Sequence, residues 1–228
     1  MTPGDRSPDP PVDLRRAAVF FDYDGTLSVA DTGVAVLEAL GDPAWRNVDA
    51  EYERGEIGSR VCLLDEWDLL PRDEAAIRAA AATVPLDPDA ESLLADLRAA
   101  GAEVAIVSDG FGFYVPERLG HLGVPIFTNA VDWERNTLLF PNEDRCCACS
   151  SCGTCKQAPI KDAKRRGLTT VMVGDGISDR KAALLVDVLF AKDGLARWCD
   201  RSGVPYHPFA TLAEVRSVLF APGAGADG

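Results

Sequence analysis

Apolar stretches of four or five residues recur along the chain, most of them ending in a polar residue or glycine. Ala17–Phe21 runs into Asp22, Glu103–Val107 into Ser108, and Thr169–Val173 into Gly174 and Asp175, while Pro125–Thr128 and Val188–Ala191 are shorter runs of the same kind. Such runs, bounded by turn signals, predict strands buried on both faces of a parallel sheet. Between and after them the apolar spacing turns helical. It predicts helices over Ala90–Ala100, Gly112–Leu122, Pro159–Arg166, Lys181–Val186, Ala196–Arg201 and Leu212–Leu219, and a hairpin over Val131–Phe140 around Arg135-Asn136. The segment from Asp31 to Val84 has another texture. Thr32–Leu40, Ala44–Arg54, Ser59–Leu69 and Arg72–Thr83 show helical spacing, with Gly or Pro between them and no strand. The predicted fold class is therefore α/β: a Rossmann-like, doubly wound parallel sheet carrying an inserted helical bundle. The expected boundaries are a disordered tail over 1–13, a core over 14–30 and 86–221, a helical cap insert over 31–85, and a C-terminal tail over 222–228.

The strand ends carry the chemistry. Asp22 and Asp24 follow the first strand in the pentad Asp22-Tyr23-Asp24-Gly25-Thr26, Ser108 follows the second, and Asp175 and Asp179 follow a later one. Parallel strands bring all these ends to one edge of the sheet, where open α/β sheets bind ligands. One acidic turn after a strand has an ordinary explanation as an Asx-type turn. Polar residues ending three separate strands on the same edge point instead to a site. Asp22 can act as a nucleophile toward phosphorus, splitting one difficult displacement into two. Asp24, two residues on, can protonate the leaving oxygen and later deprotonate water. Mg²⁺ prefers oxygen donors, and an Asp22 oxygen, the Asp24 carbonyl and the Asp175 carboxylate supply them. Thr26 and Ser108 offer hydroxyls, and the backbone at Asp109-Gly110 offers N–H groups, to phosphate oxygens. A lysine would complete charge neutralisation.

Composition narrows the partners. Twenty-three basic against 36 acidic residues give a net charge of −13, which argues against nucleic acid and anionic membrane surfaces. There is no secretory leader pattern and no apolar run of membrane-spanning length, so the expected compartment is the cytoplasm. Oligomeric state stays open between monomer and homodimer. Of seven cysteines, Cys146, Cys147, Cys149, Cys152 and Cys155 crowd one loop, 141–157. Overlapping C-x2-C spacings there suit a structural Zn²⁺, against reduced thiols or a redox pair as alternatives.

Together these motifs resemble the haloacid dehalogenase-like phosphatase superfamily: the Asp22-to-Thr26 pentad its first motif, Ser108 its second, and Gly174-Asp175-Gly176-Ile177-Ser178-Asp179 its fourth. The resemblance implies Mg²⁺, an aspartyl-phosphate intermediate, a helical cap between the first two motifs, and Asp179 behind the metal ligands. Cys152-Gly-Thr-Cys155-Lys156 is similar to the phosphoserine phosphatase-like branch, and within it to methionine-salvage phosphatases of 2-hydroxy-3-keto-5-methylthiopentenyl-1-phosphate. On that likeness Lys156 is the phosphate-neutralising lysine, with Lys161 as the alternative. Asp31 and Arg60 stand where the branch places substrate contacts, with helix capping and a solvated helix face as their ordinary readings. Asp109 replaces the glycine usual after the motif-two serine. The substrate implied is a small phosphorylated metabolite; phosphoserine and phosphoethanolamine or phosphocholine esters are alternatives, and a metabolite-binding regulatory protein is the non-enzymatic one.

Overall fold

The computed structural model describes residues 12–142 and 151–221. The tail expected over 1–13 lies outside them except for its last two residues, the tail from 222 entirely, and the cysteine-rich loop in its middle. Six strands form one parallel sheet: β1 (Ala17–Phe21), β2 (Glu103–Val107), β3 (Ile126–Phe127), β6 (Thr169–Gly174), β7 (Val188–Ala191) and β8 (His207–Pro208), in the order β3-β2-β1-β6-β7-β8. β4 (Ala130–Asp132) and β5 (Thr137–Leu139) make the expected antiparallel hairpin, with Asn136 at positive φ in its turn. β1 therefore has β2 on one side and β6 on the other. The chain winds outward in both directions from that seam, which makes the seam a switch point where a crevice opens.

Successive strand residues point to opposite faces, and the burial follows that alternation. Val19, Phe21, Val104, Ile106, Val171 and Val173 face one apolar cluster, while Ala18, Phe20, Ala105, Val107 and Met172 face another. Helices α5 (Ala90–Ala99), α6 (Tyr114–Leu119) and α10 (Leu212–Leu219) pack on the first face; α7 (Gln157–Arg165), α8 (Arg180–Ala183) and α9 (Asp193–Ser202) cover the second. Phe21 is fully buried, which contributes about 1.5–3 kcal/mol for a side chain of this kind.

Between β1 and α5 run α1 (Thr32–Leu40), α2 (Trp45–Glu53), α3 (Ser59–Asp68) and α4 (Glu74–Ala82). The chain leaves and returns side by side. Val29 N donates to Pro85 O at 3.0 Å, Asp87 N donates to Leu27 O at 2.9 Å, and Ser28 and Leu86 form an antiparallel bridge. Trp45 and Trp67 are buried here, and Val36, Leu37, Trp67 and Ile77 belong to the same apolar cluster as the sheet's first face. The four helices thus sit over the sheet's carboxyl edge on a shared core.

Candidate active site

The turn after β1 holds two carboxylates in different surroundings. Asp22 N donates to Val173 O at 2.9 Å, which ties the residue to the end of β6. Gly25 has φ +69°, in the region that favours glycine, and a Cβ there would lie 2.4 Å from Asp175 Oδ2. The turn therefore closes directly on the acid that ends the neighbouring strand. Asp22 is buried; one oxygen accepts from Tyr23 N at 2.7 Å and the other meets Lys156 Nζ at 2.7 Å. Lys156 Nζ also reaches Asp179 Oδ1 at 2.7 Å. The second Asp179 oxygen accepts from Asp175 N and Gly176 N, both at 3.1 Å. Asp175 Oδ1 accepts from Thr26 Oγ1 at 2.9 Å. Asp24 points elsewhere, accepting from Thr32 N at the start of α1 and from Tyr114 OH of α6, both at 2.9 Å.

Charge crowding sets the protonation of the group. Burial, with Asp179 next, pushes the Asp22 carboxyl well up, against the pull of Lys156. Burial and Asp31 push Asp24 up to about 7; burial and Asp179 push Asp175 up to about 7. Burial opposes the Lys156 charge, but Asp179 and Asp22 hold it above the ordinary lysine range. Oxygens of Asp22, Asp175 and Asp179 come within 4.8 Å of one another, the one group with metal-ligand spacing among the described residues. Hard oxygen donors and an excess of buried negative charge over the single lysine fit a divalent cation such as Mg²⁺.

Asp109 extends from the end of β2. Its oxygens accept from Ser59 Oγ of α3 at 2.5 Å, Thr154 N at 2.6 Å and Asn129 Nδ2 at 3.3 Å. One carboxylate thereby joins the inserted helices, the segment leading to Lys156 and the end of β3. Thr154 Oγ1 donates in turn to Asn129 Oδ1 at 2.9 Å. Burial still raises the Asp109 carboxyl. Gly110 gives its N–H to Ser108 Oγ at 3.3 Å, and a Cβ on it would strike Asp24 Oδ2 at 2.5 Å.

Sheet edge and inserted helices enclose a cavity of about 290 Å³. Asp22, Asp24, Asp109, Gly110 and Asp175 line it from below, and Asp31, Asp49, Tyr52, Ser59 and Glu66 are among the residues lining it from the insert. Of the residues expected at the site, Asp22, Asp24, Lys156, Asp175 and Asp179 come together with Ser108, Asp109 and Gly110 at the same edge. Asp31 both caps α1, accepting from Val34 N at 2.8 Å, and faces the cavity. Thr26 is buried and gives its hydroxyl to Asp175, rather than lying open to a phosphate. Arg60 lies with its guanidinium 4.5 Å from the Phe140 ring centre and does not line the cavity. Lys161 lines a different groove, on α7. For Zn²⁺, Cys146, Cys147 and Cys149 lie outside the described residues; Cys155 is buried and Cys152 half-buried. Sequence reasoning missed Thr32, Ser59, Tyr114, Asn129 and Thr154, uncharged residues with no motif spacing. Their part depends on which loops meet.

The family description haloacid dehalogenase-like hydrolase matches residues 19–184. The 2-hydroxy-3-keto-5-methylthiopentenyl-1-phosphate phosphatase of Geobacillus kaustophilus is 28% identical over 212 residues, covering 90% of this chain and 96% of that protein. The enzyme of the same name from Brevibacillus brevis is 26% identical over 213 residues, 90% and 96% of the two chains. Among solved structures, a substrate-bound phosphoserine phosphatase complex superposes with a TM-score of 0.68 at 20% identity, over 88% of this chain and 96% of that one.

Proposed function

Since the chain belongs to the haloacid dehalogenase-like hydrolases, we propose that it is a Mg²⁺-dependent phosphatase of a small phosphorylated metabolite, working through an aspartyl-phosphate on Asp22. The observation that carries this reading is the buried Asp22–Lys156–Asp179 chain at the switch point, with Asp24 two residues beyond the nucleophile and facing the same cavity. Asp22 and Asp175, with the Asp24 carbonyl, would hold the cation, and Asp179 would back them. Bound there, Mg²⁺ supplies positive charge to the phosphoryl oxygens.

The chain's own residues account for the rest. Tyr23 N–H and Lys156 fix the Asp22 carboxylate, so an oxygen of it attacks phosphorus with little reorganisation. As the Asp22–phosphorus bond forms, the bond from phosphorus to the alcohol oxygen breaks. Asp24, with a carboxyl near 7, is partly protonated at neutral pH and gives its proton to that oxygen. In the second half Asp24 takes a proton from water, the water oxygen bonds to phosphorus, and Asp22 leaves as carboxylate. Thr32 N and Tyr114 OH keep Asp24 aimed through both halves. The Lys156 ammonium balances the charge on the transferring group, and the Ser108 hydroxyl, which accepts from Gly110 N–H, lies at the same end of the sheet to donate to its oxygens.

The cavity volume suits a metabolite rather than a macromolecule. The names of the relatives make 2-hydroxy-3-keto-5-methylthiopentenyl-1-phosphate the first ester to assay. The position of Arg60 away from the cavity speaks against a phosphoserine carboxylate being held there by this residue. The test is phosphate release from p-nitrophenyl phosphate and a panel of small esters, with Mg²⁺ and with chelator, for wild type and Asp22→Asn. Mg²⁺-dependent release that vanishes in Asp22→Asn is expected. Wild-type turnover in that variant overturns the mechanism.

A further inference from the structure

The two faces of the sheet are covered unequally at β2. α5 packs on the first face of that strand, while on the second face α7 packs on β1 and β6. Beside α7 a groove of about 850 Å³ runs along the second face, larger than the 290 Å³ cavity at the acids. Phe20 of β1, Ala105 of β2 and Phe127 of β3 line it from the sheet, and α7 adds Ala158 and Pro159. Small side chains on both sides keep the layers from closing, so apolar surface is left facing water and favours cover by an apolar body. The rim carries the opposite charge to the chain as a whole. Against a net charge of −13, four cations and two carboxylates line the groove. Arg165 pairs with Asp162 at 3.0 Å, Arg166 with Glu103 at 2.5 Å, and Arg98 donates to Leu122 O at 2.5 Å. Lys161, half-buried on α7, has no hydrogen-bond or ion-pair partner among the described residues.

We propose that this groove is a second ligand site, taking a small organic monoanion whose flat apolar body lies on Phe20, Ala105 and Phe127 and whose carboxylate or sulfonate meets Lys161. Its volume falls within the range of small-molecule sites, roughly 300–1,000 Å³. The groove also touches both elements that deliver charged groups to the acids' cavity. Lys156 is the residue that opens α7, and Phe20 stands two residues before Asp22. A ligand wedged between α7 and the sheet braces both, so that Lys156 and Asp22 keep their mutual placement and turnover rises. The site is thus an effector site. The effect on turnover rests on the phosphatase reading above; the binding does not.

The experiment uses anilinonaphthalenesulfonate, an aromatic sulfonate that fluoresces on apolar surfaces, beside phenylnaphthylamine, the same ring system without the sulfonate. Titration of the full chain with Mg²⁺ should find one saturable site for the sulfonate, about tenfold tighter than for the uncharged analogue and weaker in high salt. Lys161→Glu should weaken the sulfonate by about tenfold and leave the uncharged analogue unchanged. Ala105→Leu, which fills the groove from the sheet, should weaken both, with unchanged circular dichroism. Saturating sulfonate should raise wild-type kcat on p-nitrophenyl phosphate about twofold at constant KM. It should have no effect on Lys161→Glu, whose turnover without ligand should equal that of wild type. No saturable binding, equal affinity for the two probes, or binding that Lys161→Glu leaves intact overturns the proposal. So does a KM that rises with the sulfonate, as for a competitor, or a kcat that stays level or falls. Saturable binding to a chain that hydrolyses no ester overturns the phosphatase reading and the effector role with it, and supports the ligand site alone.

Discussion

The two walls of the cavity treat negative charge in opposite ways. On the sheet side each carboxylate has a strong donor: Asp22 has Tyr23 N and Lys156, Asp179 has two backbone N–H groups and the same lysine, and Asp175 has Thr26. On the insert side, Glu66 has a thiol, and burial together with Glu53 and Asp31 raises the Asp49 carboxyl. The sheet wall is organised before substrate arrives, as electrostatic stabilisation of a transferring phosphoryl group requires. On the proposed mechanism the chemistry lies with the sheet wall, and Asp109, bonded to Ser59 across the gap, ties it to the inserted helices.

The largest effects should come from the sheet wall. Lys156→Ala leaves Asp22 and Asp179 buried without their cation. We expect turnover to drop by at least about a thousandfold, and stability by about 3–5 kcal/mol, the usual cost of breaking a buried ion pair from one side. Denaturant unfolding beside steady-state rates checks both. Lys161→Ala, on a separate groove, should leave both values within error.

Asp24→Asn should be next. It keeps the nucleophile and removes the proton carrier, for a loss of roughly 10²–10⁴ in turnover. Because the second half also needs this carboxylate, phosphorylated enzyme should accumulate. Mass spectrometry of quenched protein should find the phosphoryl group on the peptide containing Asp22. Absence of that adduct, at wild-type turnover, would remove Asp24 from the mechanism.

Asp109 tests the link between the walls. Its three donors lie on three different segments, so Asp109→Gly should cost about 1–3 kcal/mol of stability. It should also weaken every ester to a similar degree. A selective loss on amine-bearing esters would make Asp109 a substrate contact rather than a link between the walls.

The smallest effect is on stability against pH. The Glu66 carboxyl is raised from 4.5 to about 8 in the folded protein, so the folded state holds its proton more tightly than the unfolded chain. Its contribution is fully present below about 4.5 and is lost as pH rises through about 8. Besides Asp49, the nearby Asp31 and Asp65 push the same way, and the hydrogen bond from the Cys62 thiol pulls against them. Glu66→Gln should therefore match wild type in thermal midpoint near pH 5 and exceed it increasingly toward pH 8.5. A constant difference across that range would mean that the Glu66 charge is already compensated.

The sheet wall was the legible part of the sequence. β2, β7, α1 and α10 fall on the expected residues, and β6 runs one residue longer. Buried strands announce themselves as apolar runs, and acids at their ends must share an edge. Shorter elements were harder. The helix expected over Lys181–Val186 is the four-residue α8, and β8 has two residues, His207 and Pro208, too few to show a period. The helix expected from Gly112 starts at Tyr114 and tightens into a single turn over Gly120–Leu122. The insert wall was not legible, because Asp49 and Glu66 look like ordinary polar positions on amphipathic helices. Only the crossing of α2 and α3 over the sheet brings them to one cavity. From the sequence, Asp109 stands only as a neighbour of phosphate in place of a glycine. Its filled set of donors became visible once Ser59, Asn129 and Thr154 were placed beside it.

The place of β1 in the sheet also governs when activity can arise during synthesis. Its partner on one side, β2, comes at Glu103–Val107; the partner on the other, β6, comes only at Thr169–Gly174. A nascent chain can pair β1 with β2 early, and then carries an unpaired apolar strand edge until β6 emerges. The first acids are made long before Lys156, Asp175 and Asp179, so on the proposed mechanism a chain released before residue 179 should be catalytically inert and expose an edge open to wrong pairing. Truncated products of this protein should thus burden the cell as aggregation-prone fragments, never as partly active phosphatase.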